Sequence, residues 1–273
     1  MAWIEWLKAA ILGVIQGITE WLPISSTGHM ILADQWMQLK GPDAFVDLFM
    51  VVVQLGSILA VLVLYFHKLN PWAPAKTQKE KQQTWSLWSK VLIGVIPTGI
   101  AGVLFEEQIN DLFYAPIPIA IALIVYGIAF IIIENRKKKS RINTLDQLDY
   151  KTAVWIGVFQ ILALIPGTSR SGSTILGAVL LGCARPVAAE FSFFLAIPVM
   201  LGASGLKLIK YASLLTGEYL MTLLIGTVVA FVVSLFAIRF LMRFIQKHTF
   251  KPFGVYRIVL GLSILLYFGF LAV

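Results

Sequence analysis

Charge is what this chain has least of. Charged side chains make up 13% of its 273 residues and hydrophobic ones 59%, whereas ordinary globular domains carry about 25% charged residues. That scarcity excludes a soluble single domain and points to a polytopic membrane protein. Cysteine is nearly missing as well. Cys183 stands alone, so no intrachain disulfide can form, no zinc-type Cys/His cluster exists, and a buried structural thiol is expected. Glycine-rich dinucleotide and P-loop patterns are absent, which removes nucleotide-driven work. The first 22 residues contain Glu5 and Glu20 and no small-residue cleavage site. We therefore expect no cleavable signal and a retained N-terminus.

What the chain does have is long apolar runs. Stretches of about 20 residues, enough to cross a bilayer, lie near 45–66, 89–106, 116–134, 189–209, 220–242 and 253–273, giving six predicted crossings. Trp3, Trp6, Trp85, Trp88 and Tyr219 fall near span ends, as an interfacial aromatic belt requires.

Two further segments are apolar but interrupted. Gln16-Gly-Ile-Thr-Glu20-Trp-Leu-Pro23-Ile-Ser25-Ser26-Thr27-Gly28-His29 is one, and Pro166-Gly-Thr-Ser169-Arg170-Ser171-Gly172-Ser173-Thr174 is the other. Each breaks at a proline and a hydroxyl-rich turn, so each reads as a re-entrant helical hairpin, with a kinked crossing as the alternative. Irregular backbone at membrane depth is tolerated only against protein or a watery cavity, so the two hairpins should face each other across a polar pocket. The segments also resemble each other. At an offset of 144, residues 12–32 and 156–176 share seven identities in 21 positions, among them Gly13/Gly157, Gln16/Gln160, Ser25/Ser169 and Gly28/Gly172. Leu92-Ile93-Gly94 echoes Leu224-Ile225-Gly226, and Pro118…Gly127 echoes Pro252…Gly261. The fold class expected is thus an all-α polytopic membrane protein of six transmembrane helices plus two re-entrant hairpins. It forms one integral membrane domain, 1–273, with internal repeats at about 1–134 and 152–273.

Basic residues orient it. Segments 67–90, 135–151 and 243–251 hold 14 of the 22 Lys and Arg and belong in the cytoplasm. The loops expected at 107–115 and 210–219 and both termini then lie outside, and the repeats are inverted. The net charge of +8 reports topology and anionic headgroups, and nucleic acid is no expected partner. Inverted repeats with broken helices at the midplane are the plan of many secondary transporters, which keeps a transporter or flippase reading open.

The polar residues supply the chemistry. Gln16 and Glu20, four apart, share a helix face. Ser25, Ser26 and Thr27 suit the cap of a helix starting near Gly28, whose N-terminus attracts anions, and His29 can move protons or attack phosphorus. Arg170, with Ser169, Ser171, Ser173 and Thr174 beside it, forms an oxyanion-binding set for phosphate or diphosphate. The plainer readings are that the hydroxyls only cap and that Arg170 only neutralises Glu20. A carboxylate beside a diphosphate permits joint Mg²⁺ or Ca²⁺ binding without demanding it.

These motifs resemble those of the bacterial undecaprenyl-diphosphate phosphatases of the bacitracin-resistance type. The first family motif, Glu or Gln, three residues, then Glu, is met by Gln16 and Glu20 and continues through Leu22-Pro23-Ile24-Ser25-Ser26-Thr27-Gly28-His29. The second, Pro-Gly-x-Ser-Arg-Ser with a nearby Thr, is met by Pro166, Gly167, Ser169, Arg170, Ser171 and Thr174. Val53-Gln54-Leu55-Gly56-Ser57 and Glu190-Phe191-Ser192-Phe193 are further echoes. Gln16 replaces a glutamate of some members, so Glu20 must act alone as anionic metal ligand or base. Met50 stands where some members are acidic.

The resemblance implies removal of the terminal phosphate of undecaprenyl diphosphate, returning the carrier lipid to peptidoglycan synthesis. It implies a site open to the extracytoplasmic side of the bacterial plasma membrane, a divalent cation (Mg²⁺ or Ca²⁺) at Glu20, and bacitracin acting indirectly by sequestering substrate. Glu20, Ser26, His29 and Arg170 are the candidate catalytic residues. Gln16, Ser25, Thr27, Ser169, Ser171 and Thr174 are candidates for substrate binding. Ser26 is the first candidate nucleophile, with water activated by Glu20 and His29 itself as rivals. Small-xxx-small spacing at Gly202-Ala-Ser-Gly205 serves packing within the fold as well as between protomers, so the oligomeric state stays open.

Overall fold

The computed structural model describes residues 2–136 and 139–271. Among them the chain is helical, without a β-strand. In chain order the helices are α1 (Ala2–Thr19), α2 (Ser26–Met37), α3 (Asp43–Leu64), α4 (Phe66–Leu69), α5 (Gln78–Phe113) and α6 (Pro116–Asn135). They continue as α7 (Tyr150–Ile161), α8 (Arg170–Leu180), α9 (Arg185–Lys210), α10 (Gly217–Lys247) and α11 (Lys251–Leu266). Six helical stretches are long and apolar enough to cross a membrane: α3, α5, α6, α9, α10 and Lys251–Gly269. They coincide with the six predicted runs, and α1–α2 and α7–α8 are the interrupted segments.

One helix is much longer than its apolar run. α5 was expected over 89–106 and starts eleven residues earlier because Thr77 and Glu80 form a capping box. The Glu80 amide donates to Thr77 Oγ1 (3.3 Å) and the Thr77 amide to Glu80 Oε2 (2.7 Å), satisfying donors that a polar helix start otherwise leaves open. The far end overruns too. The loop expected at 107–115 is helical through Phe113, and Pro116, with no amide hydrogen to satisfy, begins α6 almost at once. Farther on, the amides of Arg141 and Ile142 donate to the Gly182 carbonyl (2.8 and 3.0 Å), and the Ala184 amide to that of Ile142 (2.8 Å). Cys183 in that turn is buried and free. Burial pushes its thiol up to about 12, so it is inert at neutral pH.

α1 lies along α10 and α7 along α5, while α3 contacts α9 and α6 contacts α11. At the first crossing a Cβ on Gly13 would sit 2.5 Å from the Gly226 carbonyl oxygen; at the second, a Cβ on Gly157 would sit 1.9 Å from that of Gly94. Gly13 corresponds to Gly157 and Gly94 to Gly226, so exchanging the halves maps one crossing onto the other. Lipid tails are as apolar as leucine, so close backbone approach through small residues is what holds such helices together.

Candidate active site

Each interrupted segment breaks at a serine with left-handed backbone, Ser25 at φ 73° and Ser169 at φ 74°. Serine adopts this region only under constraint, and here its hydroxyl accepts from the amide three residues on: Gly28 N to Ser25 Oγ (3.4 Å) and Gly172 N to Ser169 Oγ (3.2 Å). Both helices that follow are thus N-capped. α2 begins at Ser26, two residues before the expected start.

The turns bring the two motifs into contact. Arg170, first residue of α8, donates from Nη2 to Glu20 Oε1 at 2.7 Å, across 150 residues of sequence. Gln16 Nε2 donates to the other carboxylate oxygen of Glu20 at 2.8 Å, as their shared helix face predicted. Nη1 of Arg170 reaches the carbonyl and hydroxyl of Ser192 on α9 (2.8 and 3.2 Å), and Ser192 Oγ lies 2.6 Å from Thr174 Oγ1. Ser171 Oγ donates to the Leu22 carbonyl (3.2 Å) and lies 3.1 Å from Ser169 Oγ. The guanidinium packs 5.6 Å from the Trp21 ring centre. Glu20 keeps 5% exposure, and Gln16, Ser171, Thr174 and Ser192 are buried. A buried ion pair is strongly destabilised by loss of either member, by about 3–5 kcal/mol.

The network is incomplete in one respect. Arg170 Nε is buried and has no hydrogen-bond partner among the described residues. An unmet guanidinium donor beside hydroxyls and a helix N-terminus is suited to a phosphate oxygen.

The other predicted residues sit on the first turn. Ser26 and Thr27 are half-buried and their hydroxyls make no hydrogen bond among the described residues. His29 is engaged at both ring nitrogens, Nδ1 with the Ser25 carbonyl (2.7 Å) and Nε2 with the Tyr256 hydroxyl (2.6 Å). A carbonyl can only accept, so neutral His29 carries its proton on Nδ1 and Nε2 accepts from Tyr256.

Sequence reasoning passed over Ser192, Tyr256 and Arg257. Ser192 lay in the quoted Glu190–Phe193 echo. Arg257, fully buried, donates to the carbonyls of Pro23 (3.1 Å), Gly167 and Thr168 (both 2.9 Å), stapling the two turns together. Its ring partner Tyr126 (5.3 Å) accepts from Ser173 Oγ at 3.2 Å. An arginine within a predicted crossing is itself a signal of a polar partner, and that signal was in the sequence.

Among the described residues no three His, Cys, Asp or Glu side chains converge, and Glu20 is the one carboxylate in this network. That donor set suits a cation held mostly by substrate oxygens, as Mg²⁺ commonly is, and does not suit an all-protein cage.

Known proteins resemble this chain over nearly its whole length. The family described as bacitracin resistance protein BacA matches residues 9–263. Undecaprenyl-diphosphatase 1 of Clostridioides difficile (strain 630) is 59% identical over 97% of both chains. The undecaprenyl-diphosphatase of Acetivibrio thermocellus is 54% identical over 97% of this chain and 98% of its own, and that of Enterococcus faecalis 53% over 96% and 97%.

Proposed function

This chain belongs to the BacA bacitracin resistance protein family, and from that membership and the Glu20–Arg170 contact we infer that it hydrolyses undecaprenyl diphosphate to undecaprenyl phosphate and inorganic phosphate. It is a multi-pass membrane phosphatase whose substrate is a polyprenyl diphosphate lipid. The observation that carries the reading is the 2.7 Å pair between the two interrupted segments, with an unmet Arg170 N–H beside it.

In the mechanism we propose, Arg170 and the serines of the second turn hold the terminal phosphate, since phosphoryl transfer depends chiefly on positioning and charge neutralisation. Ser26 Oγ attacks the terminal phosphorus, the bridging P–O bond breaks, and undecaprenyl phosphate leaves. Glu20 takes the Ser26 proton; water then attacks the phosphoserine, the Oγ–P bond breaks, Ser26 Oγ takes the proton back from Glu20, and inorganic phosphate leaves carrying the water's protons. Ser26 is preferred to His29 because its hydroxyl is unengaged, whereas both His29 nitrogens are already bonded. His29, bonded to the Ser25 carbonyl and to Tyr256, holds the first turn in place. Gln16 orients the Glu20 carboxylate, and Ser25 and Ser169 keep the turns open. A divalent cation, Mg²⁺ or Ca²⁺, would be held by Glu20 with substrate oxygens and would supply further charge neutralisation.

We further propose that the halves, about 1–134 and 152–273, are inverted repeats, so that the interrupted segments enter from opposite faces. The supporting observations are the exchange-related glycine crossings and the basic segments 67–90, 135–151 and 243–251. On this reading the termini and the mouth of the site lie outside the bacterial plasma membrane, and bacitracin acts on the substrate lipid instead of on this protein.

The deciding experiment is phosphate release from C55 diphosphate by purified protein, with and without chelator, together with mass spectrometry for a phosphorylated Ser26. Release that stops with chelator and returns with Mg²⁺ or Ca²⁺, alongside a trapped phosphoserine, is expected. Full turnover by Ser26→Ala would exclude Ser26 as nucleophile; no release by folded protein would sink the enzyme reading.

A further inference from the structure

At the end of the bundle formed by α4 and the start of α5 lies a cavity of about 260 Å³, whose wall includes His67, Lys68, Lys76, Glu80, Lys90 and Asp146. It shares no residue with the Glu20–Arg170 site. Two of its lysines are buried, Lys76 with 8% and Lys90 with 7% of its surface exposed. Their stems are packed away while their ammonium heads line the cavity, where an anion is the best partner. Among the described residues Lys76 Nζ donates to two neutral groups, the Lys68 carbonyl (3.1 Å) and Thr84 Oγ1 (2.6 Å). Lys90 has less. Among the described residues its ammonium has no hydrogen bond and no ion pair, only the Tyr150 ring with its centre 5.7 Å away.

The acidic groups on the wall are already committed. Glu80 closes the capping box on Thr77, and Asp146 Oδ2 accepts from Gln83 Nε2 at 3.0 Å. Lys68 has its own partner in Glu190, at 2.7 Å. Neither Glu80 nor Asp146 forms an ion pair with Lys76 or Lys90 among the described residues, so both ammoniums remain available to a further anion.

The surroundings indicate where an anion would come from. Trp85, next to the lining residue Thr84, packs edge-on against Trp72 with ring centres 5.4 Å apart. Both rings and that of Tyr150 are at least 47% exposed. Amphipathic aromatic side chains of this kind gather at headgroup level, and Lys90 stands where the apolar part of α5 begins.

We propose that this cavity binds a phosphate group, delivered by the headgroup of an anionic glycerophospholipid. Lys90 and Lys76 donate to the phosphate oxygens, Thr84 holds Lys76 in position, and Trp72 and Trp85 flank the glycerol region. Basic pockets between membrane helices are recurrent headgroup sites.

The test uses the full chain, purified and delipidated in detergent and titrated with phosphatidylglycerol, with phosphatidylcholine of the same acyl chains, or with inorganic phosphate. Bound molecules are counted by native mass spectrometry for wild type, Lys90→Met, Lys76→Met and Lys90→Arg, with melting temperatures measured alongside. Wild type should retain one phosphatidylglycerol in preference to phosphatidylcholine, each methionine variant should bind it about fivefold more weakly, and Lys90→Arg should retain it. Lysine-dependent binding of inorganic phosphate without the lipid would keep the phosphate site and reassign its source to free phosphate. Equal retention by wild type and the methionine variants, or no preference between the two lipids, would overturn the proposal. If Lys90→Met does not fold, Lys76→Met and the wild-type lipid preference still decide it.

Discussion

The two interrupted segments are the same device carrying opposite charge. Both turn at a serine of nearly equal φ, both cap the next helix through that serine, and both follow a helix with a glycine-to-carbonyl crossing. Their side chains have parted. At the position of Glu20 the second segment has Leu164, and at the position of Ser26 it has Arg170. Gln16 bonds the Glu20 carboxylate, whereas its counterpart Gln160 reaches across to Thr98 Oγ1 on α5 at 3.1 Å. On nearly the same backbone turn, one segment thus supplies the carboxylate and the other the guanidinium. The contact exists only where the two segments meet.

Breaking either side of that contact should have the largest effect. Glu20→Ala and Arg170→Ala should each lower turnover by about 10²- to 10³-fold, measured as phosphate release, and Arg170→Lys should restore little because a point charge lacks the guanidinium fork. Activity retained in either alanine variant would separate the chemistry from the contact.

The glutamine pair sharpens the comparison. Gln16→Leu removes a hydrogen bond to a charged group, so turnover should fall about tenfold. Gln160→Leu should leave turnover within about twofold and lower the melting temperature slightly, since its bond is between neutral groups. Equal kinetic effects from both would mean that the second segment contributes more to the reaction than Arg170 and its hydroxyls.

Smaller effects test the shared scaffold. Gly13→Ala and Gly157→Ala should each destabilise by about 1–3 kcal/mol through overpacking. Gly202→Ala, which meets nothing within 4 Å, should not, and thermal unfolding in detergent distinguishes them. Ser25→Ala and Ser169→Ala should each lose about 1 kcal/mol of cap and keep a strained φ. The glycine variants should lose less, since glycine accepts that backbone at no steric expense. A large difference between the two serines would argue against a common device.

Much of this was legible in the chain. Scarce charge and apolar runs gave the six spanning helices, because a bilayer leaves so few alternatives for an uncharged 20-residue stretch. The glycines that echo each other, Gly13 with Gly157 and Gly94 with Gly226, sit at the two crossings, and the two motifs named Glu20 and Arg170, with an ion pair between them as one reading. α5 was underestimated because the span reading followed hydropathy, while its start is set by the Thr77–Glu80 cap, a local hydrogen-bonding matter that apolar counting ignores.

By itself, then, the sequence determined which segments lie in the membrane, where the helices break and which residue types face the break, since these follow from local hydropathy, proline and hydroxyl chemistry. Only the tertiary structure decided what those residues touch. The pairing of Arg170 with Glu20 and Ser192, the hold of Tyr256 on His29 and the clamp of Arg257 on the carbonyls of Pro23, Gly167 and Thr168 join residues as many as 234 positions apart. No local pattern encodes such separations. They arise because every polar group buried among these helices must find its partner across the fold.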